Sequence, residues 1–211
     1  MLINEIFKSI QGESSYIGMP CTFIRTAMCN LACSYCDTMY ARQKGEEISI
    51  PSIILKVKEF NIPLVEITGG EPLLQKDIPL LIENLLERDF KVLVETNGSI
   101  DIGLIPTRAV RIMDLKCPGS GMSNKMLWGN IDKLIPSDEV KFVIRDRRDY
   151  LWSVEKIKEY SLIEKVQVLF SCVYGMLEAK TLIEWILKDN LNVRFQLQLH
   201  KYIWPHDMRG V

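Results

Sequence analysis

The chain has 211 residues, 47% of them apolar and 25% charged, with 26 basic against 27 acidic side chains. That length suits a single domain, 1–211, with a sizeable hydrophobic core. The net charge of -1 excludes the strongly basic field of a general nucleic-acid binder, so no nucleic-acid partner is expected.

At the N-terminus, Asn4, Glu5 and Lys8 interrupt the apolar residues of Met1 to Ser9. This segment lacks the continuous apolar stretch of a secretory signal. No segment is apolar for the length of a membrane crossing, and a soluble, cytoplasmic protein is expected. A first β-rich run covers Cys21 to Thr26, and three cysteines, Cys29, Cys33 and Cys36, follow it closely. Pro51 marks a first helical turn ahead of Ile54, Val57 and Lys58. A second run, Leu64 to Thr68, ends in Gly69-Gly70-Glu71-Pro72, and Leu74, Ile78, Leu81 and Leu85 then recur at helical spacing. Further runs cover Lys91 to Thr96, Val110 to Lys116, Glu139 to Arg145, Lys165 to Phe170 and Val193 to Leu199. Leu182, Trp185 and Ile186 supply another helical face before the last of these.

Mostly apolar short runs suit strands covered on both faces, and their alternation with helical patterns implies parallel strands joined by right-handed crossovers. The expected fold is therefore α/β, a partial or modified (βα) barrel, because too few residues remain for eight full units. Ligand sites of parallel α/β folds form where the strands deliver their C-terminal ends. The cysteine trio, Gly69 to Pro72, Asn97 with Gly98, and Lys116 to Gly121 all follow runs, which points to one shared pocket.

Six cysteines in an intracellular chain suit metal ligation or buried packing better than disulfides. Cys21, Cys117 and Cys172 lie apart, and Cys117 and Cys172 read as small buried side chains. Cys29-x3-Cys33-x2-Cys36 reads as a site. A four-iron cluster usually takes one thiolate per iron, so three thiolates leave one iron open to another ligand. A zinc site would need a fourth ligand, which Cys117, Cys172, His200 or His206 could supply. A plain electron carrier would need a fourth cysteine nearby, and none follows.

The string Cys29-Asn30-Leu31-Ala32-Cys33-Ser34-Tyr35-Cys36 resembles the cluster motif of the radical S-adenosylmethionine superfamily. Thr68-Gly69-Gly70-Glu71-Pro72 is similar to that superfamily's GGEP motif. Ile6 to Glu13, Gly18 to Arg25 and Asp37-Thr38 further resemble the 7-carboxy-7-deazaguanine synthase family. That resemblance implies a [4Fe-4S] cluster, S-adenosylmethionine and Mg2+, acting on 6-carboxy-5,6,7,8-tetrahydropterin by radical ring contraction with loss of ammonia, in queuosine or related deazapurine biosynthesis. Hydrogen abstraction at C6 and return of the hydrogen to a recycled cofactor are implied as well.

The same resemblance implies residue roles. Ile10, Gln11 and Gly12, with Glu13 close by, would hold the pterin, Arg25 would pair with its carboxylate, and Thr68 would touch it. Thr38 would ligate magnesium. Tyr35, Cys36 and Asp37 would line the adenosyl group, Gly70 would meet the cofactor, and Glu71 would bring charge suited to its ammonium. Asp114-Leu115-Lys116 matches a cofactor-binding segment approximately, and Ser171 to Tyr174 would complete the adenine pocket. The carboxylate of Val211 would approach substrate. A flavodoxin-type electron donor and a homodimer are implied partners. The nearest alternative is a glycyl-radical enzyme activase, which Gln11-Gly12-Glu13 and Arg25 argue against. His200 and Lys201 read equally as site residues or as caps of the last strand. Trp128, Trp152, Trp185 and Trp204 read as core or interface.

Overall fold

The computed structural model describes residues 1–42, 45–206 and 208–211. Among the described residues, nine strands form one sheet in the order β3-β1-β2-β4-β5-β6-β7-β8-β9. These are β1 (Leu2–Ile10), β2 (Pro20–Thr26), β3 (Glu46–Glu47), β4 (Leu64–Gly69), β5 (Lys91–Thr96), β6 (Val110–Asp114), β7 (Glu139–Ile144), β8 (Gln167–Cys172) and β9 (Arg194–Phe195). From β2 to β9 every pairing is parallel, while β1 runs antiparallel to both β2 and β3. The sheet curves without closing, as an incomplete barrel requires.

Helices α1 (Ile50–Phe60), α2 (Ile78–Leu86), α3 (Arg147–Glu159), α4 (Leu162–Lys165) and α5 (Ala179–Lys188) cover the outer face, and α6 (His200–Ile203) follows β9. Ser49 caps α1 by accepting from the Ser52 amide, Pro51 sits in its first turn, and Ile53, Ile54 and Val57 face the sheet. The connections from β5 to β6 and from β6 to β7 contain only short 3-10 turns. These are the shortened crossovers that the residue count demands. Trp128 stacks on Tyr160 at 5.1 Å, Trp152 meets Phe142 edge-on, and Trp185 lies against Tyr150, so three of the four tryptophans pack on the outer core.

Several expectations need correcting. β1 is a strand that the sequence pattern does not mark, because Asn4, Glu5 and Lys8 break its apolar run. Helix α3 also escapes that pattern, since its buried face is Asp149, Tyr150, Ser153 and Ile157, two of them strongly polar. Its start is nevertheless well marked: the Asp146 carboxylate accepts from the Arg148 and Asp149 amides at 2.9 and 3.1 Å. Leu74 belongs to a 3-10 turn ahead of α2. Lys165 ends α4 rather than opening β8, and β9 stops at Phe195.

The strands carry a period-two pattern that builds the site. Their outward residues (Ile24, Val65, Ile67, Val92, Val94, Val140, Phe142) join the main core under the helices. Their inward residues near the strand starts, Cys21, Phe23, Leu64, Leu93, Val110 and Ile112, form a second apolar cluster inside the curve. Each fully buried aliphatic or aromatic side chain of this kind contributes about 1.5–3 kcal/mol.

Candidate active site

Two residues further along each strand, the inward positions turn polar: Arg25 on β2, Glu66 and Thr68 on β4, Glu95 on β5, Asp114 on β6 and Lys141 on β7. All six line a cavity of about 970 Å3 at the C-terminal ends of the strands. Phe7, Phe23 and Ile112 form its apolar floor.

The loop after β2 brings Cys29, Cys33 and Cys36 to the same cavity, each half-buried and unpaired. The protein itself holds this loop in place. Ser34 donates its amide to Ser120 O at 3.0 Å and its hydroxyl to Gly119 O at 2.8 Å; Tyr35 donates its hydroxyl to Val143 O at 3.2 Å. Met28 donates its amide to Ala41 O at 2.9 Å. Among the described residues, no three His, Cys, Asp or Glu side chains converge as ligands of a single ion. Three thiols that share a cavity without meeting at one point suit a cluster in which each iron takes its own thiolate. Burial pushes the Cys33 thiol up, opposed by the nearby Lys116 ammonium. The Thr38 hydroxyl also lines the cavity, 3.9 Å from the Cys36 sulfur. It fits one position of a hard cation whose remaining ligands are substrate and water oxygens.

Gly69 and Gly70 let β4 pass against the start of this loop. Gly69 has φ +142°, and a Cβ on Gly70 would fall well inside contact distance of Met28 O. The Gly70 and Glu71 amides donate to Thr26 O and Met28 O at 3.2 and 2.9 Å. Glu71 is the main correction at the site. The residue is 0% exposed, and its carboxylate accepts from the Leu73 amide, the Thr96 hydroxyl and the Asn97 amide at 3.0, 2.8 and 2.7 Å. It therefore braces two strand ends and is not placed for a cofactor ammonium. Leu115 is also corrected: it is buried in the main core, while its neighbours Asp114 and Lys116 line the cavity and pair at 2.7 Å. Ser171 is buried within β8 and does not line the cavity, which Val173 and Tyr174 reach two and three residues later.

At the opposite end, Arg25 gives its Nε to Glu5 at 2.7 Å and lies over the rings of Phe7 and Tyr40. Its two terminal nitrogens have no protein partner among the described residues, which leaves a planar fork for a carboxylate. Gln11 is buried, and most of its polar groups are already engaged. Its backbone amide and carbonyl pair with Met19 and Gly18, its side-chain oxygen accepts from the Glu13 amide, and its side-chain nitrogen donates to Glu66. Ile10, Gly12 and Glu13 line the same wall. Burial, then the charge of Glu95, pushes the Glu66 carboxyl well above the usual carboxylate range.

Lys141 is the hub of this end. Its ammonium donates to Glu13 at 3.0 Å and to Glu95, and lies 3.7 Å from Asp114. Thr68 donates to the other Glu95 oxygen at 2.9 Å. Against the cost of burial, Lys141 and the Gln198 amide hold the Glu13 carboxyl below its usual range. Sequence reasoning missed Glu66, Glu95, Lys141 and Gln198. For the first three a signal existed: Leu64-x-Glu66, Leu93-x-Glu95 and Glu139-x-Lys141 repeat the period-two spacing of Phe23-x-Arg25.

Residues 196–206 and 208–211 run along the mouth of the cavity. Lys201 donates to Asp37 at 2.7 Å, Gln198 donates to Glu13 at 2.9 Å, and the Leu199 amide donates to Gly12 O at 2.9 Å. Against burial, Lys201 brings the Asp37 carboxyl down to about 2. The His200 ring occupies the space into which any side chain on Gly12 would point. His200, Lys201 and Val211 all line the cavity.

The Radical SAM superfamily profile matches residues 23–175. A 7-carboxy-7-deazaguanine synthase of Chlorobaculum tepidum is 43% identical over 99% of this chain and 96% of its own length. One from Koribacter versatilis is 41% identical over the whole of both chains. The crystal structure of QueE from Escherichia coli superposes with a TM-score of 0.78 at 22% identity, covering 94% of each chain, and shows the same fold. Motifs, fold and relatives agree, and the chain belongs to the radical S-adenosylmethionine superfamily and, within it, to the 7-carboxy-7-deazaguanine synthase family.

Proposed function

We propose that this chain converts 6-carboxy-5,6,7,8-tetrahydropterin to 7-carboxy-7-deazaguanine by radical ring contraction with loss of ammonia. The observation that carries the reading is the open fork of Arg25, set in the same cavity as the cysteine trio. When bound, the cluster, S-adenosylmethionine and magnesium supply the hydrogen-abstracting radical and a Lewis acid.

The chain's own residues bind, orient and shelter the substrate. Arg25 takes the carboxylate in two parallel hydrogen bonds, with Glu5 and the Phe7 and Tyr40 rings fixing its plane. Glu66, Glu95 and the amide of Gln11 offer acceptors and a donor to the aminopyrimidinone ring, and Lys141 keeps Glu95 and Glu13 in place. Thr38 gives one oxygen to magnesium. Asp37, Tyr35, Gly70 and the Asp114–Lys116 pair surround the adenosyl side, joined by Val173 and Tyr174. His200 and Lys201 flank the mouth, and the carboxylate of Val211 approaches the substrate there. The reading includes one functional domain over 1–211, a cytoplasmic homodimer and a flavodoxin-type reductant. No helix among the described residues is long and apolar enough to cross a membrane.

The test is an anaerobic assay of the reconstituted protein with S-adenosylmethionine, magnesium and the carboxylated tetrahydropterin, with product read by mass spectrometry. Formation of the deazapurine without any protein substrate is expected. A loaded protein that cleaves S-adenosylmethionine yet leaves the pterin intact would overturn the reading in favour of an activase.

A further inference from the structure

The turn after β5 carries a polar side chain to which the proposed function assigns no role. Asn97 sits there, buried, with its side-chain nitrogen 3.8 Å from the Cys29 sulfur and 3.1 Å from the Asn30 side-chain oxygen. The surroundings of the Asn97 amide fix which way it points. The Asn97 oxygen accepts from the Ser99 amide at 3.0 Å and the Ser99 hydroxyl at 2.6 Å, so the NH2 group must face the cysteine. Glu71 holds the Asn97 backbone amide and the Thr96 hydroxyl, which fixes the turn itself. Cys29 also receives the Leu31 amide at 3.4 Å. Among the described residues, neither Cys33 nor Cys36 receives an N–H donor at its sulfur, so the three cluster thiols are unequal.

We propose that Asn97 is a positioning residue that tunes the cluster, donating an N–H···S hydrogen bond to the Cys29 thiolate and so raising the reduction potential. A donor to a ligating sulfur withdraws charge from the cluster and favours the reduced, more negative state. Such a bond strengthens once the sulfur is an anion. The buried glutamate of the GGEP motif thereby acquires a role, because it anchors the strand end that aims Asn97 at the cluster. The inference rests on the iron–sulfur reading of the trio and is independent of the substrate's identity.

The test is an electron paramagnetic resonance titration of the anaerobically reconstituted protein, without S-adenosylmethionine or substrate, alongside iron analysis. Asn97→Ala should keep the cluster and shift its midpoint to more negative values, by roughly tenfold in the reduction equilibrium, about 59 mV for one electron. Asn97→Asp, which replaces the donor with charge, should shift it further. Ser99→Ala frees the amide to rotate and should give a smaller shift of the same sign. Unshifted midpoints in cluster-loaded variants would overturn the proposal. If both Asn97 variants lose iron, Ser99→Ala decides, and an unchanged midpoint there overturns it. A wild-type protein that takes up no iron would overturn the cluster reading together with this one.

Discussion

The wall and the mouth of the cavity are held together by different means. The wall consists of paired parallel strands whose inward charges gather on one enclosed ammonium, with Lys141 5% exposed among the more open Glu13 and Glu95 and the 9% exposed Asp114. The mouth consists of the cluster loop and residues 196–206 and 208–211, joined by a few polar contacts such as those of Lys201 and Gln198 to Asp37, whose side chain is 48% exposed. Buried charges cost several kcal/mol when a partner is removed, whereas exposed pairs contribute about 0–1 kcal/mol. Damage to the wall should therefore strike stability and catalysis together, and damage to the mouth should strike catalysis with only small changes in stability.

The sharpest separation comes from Cys33→Ala. It should abolish full cluster uptake and turnover while changing stability by no more than about 0.5–1 kcal/mol, as read by iron analysis, product formation and denaturant melts. Next in size, Lys141→Met leaves three carboxylates facing one another and should cost about 3–5 kcal/mol. A melt within about 1 kcal/mol of wild type would break the distinction between wall and mouth. Gly70→Ala tests the seam between them. Its Cβ has no room beside Met28 O, so the loop must shift, at a cost of about 1–3 kcal/mol and with reduced iron uptake.

The smallest effect belongs to His200. Burial, outweighing the attraction of Glu13, lowers its pKa below the ordinary 6.5. The unfolded chain then binds more protons than the folded one just below that pH. The stabilisation is complete above about 6.5 and is lost as pH falls through the folded value. His200→Gln should flatten this dependence in melts between about pH 7.5 and 5.5, and an unchanged slope would assign it to another group.

Much of the wall was legible because parallel strands advertise themselves as apolar runs, and the cysteine spacing marked the loop. What stayed hidden depends on partners that lie far apart in the chain. Lys141 and Glu95 read as interruptions of their strands. Nothing local says that the Lys141 ammonium meets Glu13, 128 residues earlier, and Glu95, 46 residues earlier. Glu71 shows the converse. Its charge suggested a ligand, yet its three donors come from its own turn and from the end of β5. Leu115 lies one residue past Asp114, where the alternation of a strand turns the side chain outward, whereas Ser171 shares the inward register of Val143 but lies buried two residues short of Val173, which lines the cavity.

The restraints on the cluster loop carry a consequence for assembly. Ser34, Tyr35 and Met28 tie it to the 119–120 turn, to β7 and to Ala41 through bonds that belong to the polypeptide alone. In a zinc finger the metal is the clamp, and chelators unfold the domain. Here the chain provides its own clamp, so stripping the iron should silence the protein without melting it, and reloading should proceed without refolding.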